Sequence, residues 1–298
     1  MPTIKDVIRK ENNLSIKNSP LLGIPYIPLI LGIKLGRCIL PDLSYKILKS
    51  FLGKSAPFKI GEVENMWLAK ASRLPITIPI INKQIISYSW GEGPEILLVH
   101  GWASRGIQLH PLIAPLLQRG FKVVTFDFPG HGYLQGEGTT FLEFYLTLKE
   151  VSSKMHKLHA IVAHSIGCAA TQAIAARWTK PLRLILLAPH YHLRAELQEW
   201  MDARHMPKAL LTHFIKITEK KLGLEFDEFD PRHNATTIKQ PVLLIHDRND
   251  KAAKFKSSQI LAKLIPNAQL IATEGLGHNK IVSDPAMINE MIKFLTIG

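Results

Sequence analysis

The 298-residue chain has only two cysteines, Cys38 and Cys168. Two cysteines build no disulfide framework, and these two do not sit in a metal-ligand spacing. A reducing compartment, the cytoplasm, is the expectation. A long uninterrupted apolar run is also missing. Residues 18–33, NSPLLGIPYIPLILGI, carry no charge. They fall short of the roughly 20 residues that a spanning helix needs, and Pro20, Pro25 and Pro28 interrupt them. No convincing secretory cleavage site is seen nearby. A buried or interfacial segment fits better than a transmembrane one. No basic–aromatic motif or zinc-finger spacing occurs, which argues against nucleic acid as a partner. His190 and His192 form a close pair, but no carboxylate or cysteine cluster accompanies them. Neither a metal nor a cofactor is expected, and a lid-facing or solvated role is the simpler reading for this pair.

Acidic residues are in deficit: 37 Lys/Arg stand against 24 Asp/Glu, a formal net charge of +13. The excess is uneven, with ten Lys/Arg and three Asp/Glu in residues 1–60. A solvated basic face is the bland explanation. The alternative is peripheral contact of this basic, apolar N-terminus with an anionic membrane. What the chain has in quantity is apolar side chains, 46% of the total. That excludes disorder, and at this length it supports a sizeable core in one large α/β domain or two small ones.

From about residue 84 the pattern becomes regular. Ile85–Trp90 alternates as a strand does, and Gly91-Glu92-Gly93-Pro94 is a turn cluster. EILLV (95–99), KVVTF (122–126), Leu158–Ala163, Leu182–Leu187 and PVLLI (241–245) are short apolar runs, the mark of strands buried on both faces. Gln269–Ala272 reads as a last strand. Helical stretches are expected at 108–118, 141–156, from 164 to about 178, at 254–264 and at 285–296. Alternating strands and helices imply a mostly parallel central sheet with helices on both faces. Residues 190–236 break the alternation with helix-prone sequence, which suggests a helical cap inserted between two strands. The expected organisation is a helical or irregular extension over 1–83, a core over 84–189 and 237–298, and a cap over 190–236. No internal repeat or long linker appears.

In such sheets, function gathers beyond the carboxyl ends of the strands. Those ends are rich in polar residues and glycine. They read His100-Gly101-Trp102, then Asp127-Phe128-Pro129-Gly130-His131-Gly132, then Ala163-His164-Ser165-Ile166-Gly167. Later come His246-Asp247-Arg248-Asn249-Asp250 and Gly277-His278. Together, and in this order, they resemble the α/β-hydrolase family. AHSIG resembles its G-x-S-x-G nucleophile elbow with Ala163 in place of the first glycine. Small-x-Ser-x-small alone arises often by chance; four further signals in register make the resemblance specific. It covers residue 84 to the end.

The resemblance implies an α/β-hydrolase fold and a chain order of nucleophile, acid, histidine. Ser165 is then the nucleophile and His278 the base that activates it. Asp250 holds the other ring nitrogen of His278. The backbone N–H groups of Ile166 and Trp102 become the oxyanion donors. Asp247 competes with Asp250 for the acid role, and Asp250 matches the family spacing. His100, His131 and His164 are candidates for the pocket. Each also has a structural reading: bracing of the oxyanion loop for His100, a turn residue for His131, a neighbour that diverges from the nucleophile for His164. Cys168 reads as a small core residue.

A serine at the elbow implies acyl transfer to water, that is, hydrolysis of a carboxylic ester, thioester or lipid ester through an acyl-enzyme. The alternatives are an acyltransferase on the same triad and a non-catalytic protein that binds an acyl ligand. Leu193, Leu197, Trp200 and Met201 in the cap suggest an apolar acyl pocket beneath it, or simple packing of the cap on the core.

Overall fold

The computed structural model describes residues 41–53, 59–132, 138–203, 206 and 208–296. The basic N-terminal forty residues, the uncharged 18–33 segment and Cys38 lie outside them. The chain divides into two compact units, Met1–Leu48 and Lys49–Gly298; the sheet and the site belong to the second. Among the described residues no helix is long and apolar enough to cross a membrane.

The elements run α1 (Pro41–Gly53), α2 (Glu62–Ala69), β1 (Ser72–Ile78), β2 (Lys83–Trp90) and β3 (Glu95–Val99). Next come α3 (Ile113–Leu117), β4 (Lys122–Phe126), α4 (Phe141–Ser153), β5 (Leu158–His164), α5 (Ile166–Ala175) and β6 (Arg183–Leu187). The excursion between β6 and β7 holds α6 (Leu193–Asp202), α7 (Lys208–Leu222) and the single turn α8 (Pro231–Asn234). The chain closes with β7 (Val242–Asp247), α9 (Phe255–Leu264), β8 (Ala268–Thr273), α10 (Gly277–Lys280) and α11 (Pro285–Thr296). The strands form one eight-stranded sheet in the order β1-β2-β4-β3-β5-β6-β7-β8. The pairings of β1 with β2 and of β2 with β4 are antiparallel, and all others are parallel.

The central strands are apolar throughout because both sheet faces are covered. Ile96, Leu97, Leu98 and Val99 of β3 and Leu184, Ile185, Leu186 and Leu187 of β6 are all fully buried. Such strands have no polar face to reveal a period, so their signature is length and β-branched content. Helix α4 begins at a capping box. Thr140 Oγ1 accepts the Glu143 N–H at 3.2 Å, and Glu143 Oε2 accepts the Thr140 N–H at 2.9 Å.

Two expectations need correction. The extension assigned to residues 1–83 ends earlier, because Ser72–Ile78 is already strand β1. Its run contains Pro75, which removes a ladder donor and argues against a strand. At the sheet edge one side of the strand needs no partner, so the proline is tolerated. The helix expected over 108–118 is split: residues Gly106–Leu112 form a 3₁₀ segment, and only Ile113–Leu117 is α-helical. Pro111 lacks the N–H that an α-helical turn would use.

Candidate active site

The carboxyl ends of β3, β5, β7 and β8 converge on Ser165. This residue caps α5 with φ 55° and ψ −126°, a left-handed conformation rare outside glycine and held only by its surroundings. Its own N–H donates to Leu187 O at 2.9 Å, which anchors the turn to β6. Two glycines allow the close approach. A Cβ on Gly167 would lie 2.5 Å from His100 O, and one on Gly101 would lie 2.8 Å from Ser165 Cβ. Ala163 is completely buried at the end of β5. The buried Cys168 thiol turns back to donate to Ala163 O at 3.2 Å, and burial raises its pKa well above the ordinary thiol value.

Ser165 Oγ stands 3.0 Å from His278 Nε2, and His278 Nδ1 stands 2.7 Å from Asp250 Oδ2. An ionised carboxylate only accepts, so Nδ1 carries the hydrogen and Nε2 presents its lone pair to the serine. Asp250 Oδ2 also faces His246 Nε2 at 3.3 Å. Asp250 Oδ1 accepts the N–H groups of Ala252 and Ala253 at 2.7 and 2.9 Å. Burial pushes the Asp250 pKa up, but the bonds from His246, His278 and Ala253 outweigh it and hold the carboxyl well below the usual range. Asp247 does different work. It accepts bonds from the Asn249 and Leu276 N–H groups and from Thr273 Oγ1, and so ties the ends of β7 and β8 together.

Ile166 is the first residue of α5, so its N–H belongs to the helix terminus, where donors have no partner within the helix. Trp102 lies one residue beyond Gly101. Its indole stacks on Phe144 with centroids 5.2 Å apart and also lines the cavity described below.

The three histidines considered for the pocket do not line it. His100 Nδ1 donates to Gly101 O at 2.7 Å while its Nε2 accepts the Phe128 N–H at 3.0 Å. His131 Nε2 accepts the Ala103 N–H at 3.0 Å. His164 Nε2 donates to the His278 carbonyl at 2.9 Å. Each bond holds backbone at the strand ends, so these rings serve as struts behind the site. Burial lowers their pKa values to about 4 for His100 and about 3 for His131 and His164.

The residues that sequence reasoning missed are His190 and Glu196. His190 Nε2 lies 3.3 Å from Ser165 Oγ, and its Nδ1 hydrogen-bonds Glu196 Oε2. Glu196 Oε1 accepts the N–H groups of Tyr191 and His192, each at 3.2 Å. Burial raises the Glu196 pKa, but the His190 ring and these two amides outweigh it and bring the pKa below the ordinary value. The signal was available. His190 follows β6 just as His100 and Ser165 follow β3 and β5, on the same sheet edge.

Above Ser165 opens a cavity of about 510 Å³. The cap supplies much of its wall, including Leu193, Leu197, Trp200, Met201 and Phe214. Met201 and Leu193 are also almost fully buried, so pocket wall and packing are one role here. Among the described residues no group of three or more His, Cys, Asp or Glu is placed to hold a metal ion.

The fold and this strand-end arrangement define an α/β protein with a serine–histidine–carboxylate array under a helical excursion. The family model for the alpha/beta hydrolase family matches residues 96–290, and the chain belongs to that family. Among curated relatives, a pimeloyl-[acyl-carrier protein] methyl ester esterase of Aliivibrio salmonicida is 27% identical over 250 residues, 69% of this chain and 93% of the relative. The same-named protein of Aeromonas hydrophila is 21% identical over 251 residues, 68% of this chain and 96% of the relative. Among solved structures, an esterase of Pyrococcus furiosus superposes with a TM-score of 0.61 at 19% identity, covering 82% of this chain and 97% of the other.

Proposed function

We propose that this protein hydrolyses carboxylic esters through an acyl-enzyme on Ser165. The observation that carries the reading is the continuous hydrogen-bond array from Ser165 Oγ to His278 to Asp250, at 3.0 and 2.7 Å, beneath a largely apolar cavity. A serine hydroxyl is a weak nucleophile until a base takes its proton. His278 is the base, and the depressed pKa of Asp250 keeps a negative charge beside the imidazolium that forms. The N–H groups of Ile166 and Trp102 receive the oxyanion. The esterase names of several relatives support ester chemistry. The apolar wall contributed by the cap supports an acyl chain as the part of the substrate that is buried.

The test is labelling of Ser165 by a fluorophosphonate, followed by a turnover profile across ester chain lengths. Wild type labels and Ser165→Ala does not. Equal labelling of both would sink the reading. A 510 Å³ cavity accommodates a medium-length acyl chain, so turnover rises with chain length before it falls. Peripheral attachment to anionic membrane through the basic N-terminus is a separate proposal. Its signature is liposome binding that weakens as salt rises.

A further inference from the structure

His190 and Glu196 line the largely apolar cavity above Ser165. Their side chains keep only 16% and 19% of their full exposure. A polar pair in such a wall is costly unless its atoms have partners. Glu196 Oε1 accepts the Tyr191 and His192 amides, and Oε2 bonds His190 Nδ1. Glu196 titrates below its ordinary value, and an ionised carboxylate only accepts, so Nδ1 carries a hydrogen. That fixes the ring with its other nitrogen toward the nucleophile. Among the described residues the partner of His190 Nε2 is Ser165 Oγ, at 3.3 Å.

Acylation takes that partner away. The bond from Oγ to the carbonyl carbon forms and the bond to the alcohol oxygen breaks. The serine proton passes to His278 Nε2 and on to the departing alcohol. Oγ is then an ester oxygen, with no hydrogen to give and little power to accept. His190 Nε2 is left unpaired beside the new acyl group, in a cavity from which the chain displaces water. This holds whether Nε2 presents a lone pair or a hydrogen. A hydroxyl both donates and accepts, so a hydroxyl on the acyl group restores the bond in either case. Because Nε2 lies 3.3 Å from Oγ, a hydroxyl on the first or second carbon beyond the carbonyl falls within its reach.

We propose that this site selects acyl groups with a hydroxyl on the first or second carbon beyond the carbonyl, and that His190, held by Glu196, is the substrate-binding residue that reads it. This rests on Ser165 being the nucleophile and on the acyl chain lying beneath the cap. The hydroxyl belongs to the acyl group rather than to the alcohol, because the alcohol has left when Nε2 loses its partner. His190 also shares the cavity wall with Leu193 and Leu197 of the cap, where the chain is buried. A site built to bond a substrate hydroxyl rejects the analogue without it, since its own polar group is then unpaired.

The test compares kcat/KM for the ethyl esters of octanoate, 2-hydroxyoctanoate and 3-hydroxyoctanoate, and for the 2-hydroxyethyl ester of octanoate. Each value is divided by the ester's rate with hydroxide, so that inductive activation cancels. In wild type at least one hydroxyacyl ester exceeds ethyl octanoate by roughly tenfold to a hundredfold, the penalty of an unpaired buried polar group expressed as a rate ratio. His190→Phe keeps a ring and removes both nitrogens, and its ratio falls to about one. A ratio taken within one preparation is untouched by loss of folded protein, so misfolding cannot imitate this result. The proposal is overturned by a wild-type ratio below about threefold for both hydroxyacyl esters, by a preference that survives in His190→Phe, or by a preference for the hydroxyethyl ester instead. Fluorophosphonate labelling separates the two readings. If wild type labels and Ser165→Ala does not while the ratios stay near one, the nucleophile stands and the hydroxyl selection falls. Labelling of Ser165→Ala at the wild-type rate would remove the nucleophile itself.

Discussion

Replacing Asp250 by Asn removes one charge and almost no volume, and its consequence follows from four hydrogen bonds. Oδ2 serves His278 and His246, and Oδ1 serves the amides of Ala252 and Ala253. All four partners donate. An asparagine has one accepting end and one donating end, and because the backbone amides cannot change role while imidazoles can, the NH₂ turns to the histidines. With the NH₂ toward His278, the ring must present a lone pair at Nδ1. Nε2 then carries the hydrogen and can no longer accept from Ser165. The expected fall in kcat is ~10⁴, the loss seen when a triad histidine is held in the wrong tautomer. That is about 5 kcal/mol of barrier at 1.36 kcal/mol per decade. Two bonds to a charged acceptor, worth ~1.5–3 kcal/mol each, are lost or become neutral ones, which costs up to ~6 kcal/mol of stability. The assay pairs kcat on a p-nitrophenyl ester with thermal unfolding. Asp247→Asn is the control. It loses bonds at Thr273, Leu276 and Asn249 and lowers Tm, but its kcat stays within about tenfold because no triad atom is touched. A kcat loss below about tenfold for Asp250→Asn, or equal kcat losses in the two variants, would refute the reasoning.

Stability should fall steeply as the pH drops from 6.5 toward 4. His100, His131 and His164 are held neutral by burial, at about 4, 3 and 3, so the unfolded chain binds protons that the folded chain refuses. Their contribution is complete above the unfolded histidine value, and near pH 5 the three together give a slope of about 4 kcal/mol per pH unit. The depressed Asp250 value adds a further loss at lower pH, where the unfolded carboxylate begins to protonate. Urea midpoints measured across this range check it, and a flat profile from pH 7 to 5 contradicts it. Gly167→Ala places a methyl 2.5 Å from His100 O and 3.0 Å from Val99 Cγ1. Helix α5 must retreat, at ~1–3 kcal/mol, the usual cost of overpacking. Because Ile166 moves with it, kcat falls as well as Tm; an unchanged kcat would show that the oxyanion geometry does not depend on that contact.

Much of this protein is written in short local patterns. The buried strands announce themselves as apolar runs, and each delivers its polar cluster to one sheet edge; picking Ser165 and His278 out of those clusters took the family resemblance. The choice of Asp250 over Asp247 was legible only through the family resemblance. The structure gives its reason: a residue still on strand β7 bonds to strand β8, while one three positions further on reaches His278. Strand β1 was not legible. Its proline speaks against a strand, and only its position at the sheet edge makes that proline harmless.

The sequence by itself determined the buried strands and the tight turn at Ser165, because strand ends and tight turns depend on neighbours along the chain. It did not determine that a second of the thirteen histidines, His190, meets that serine beside His278. His190 reaches Ser165 because β6 lies beside β5, and Glu196 reaches His190 because the first turn of α6 folds back over the strand end. His246 reaches Asp250 for a similar reason, within the turn that leaves β7. Those meetings are set by how the elements pack, which no local period encodes.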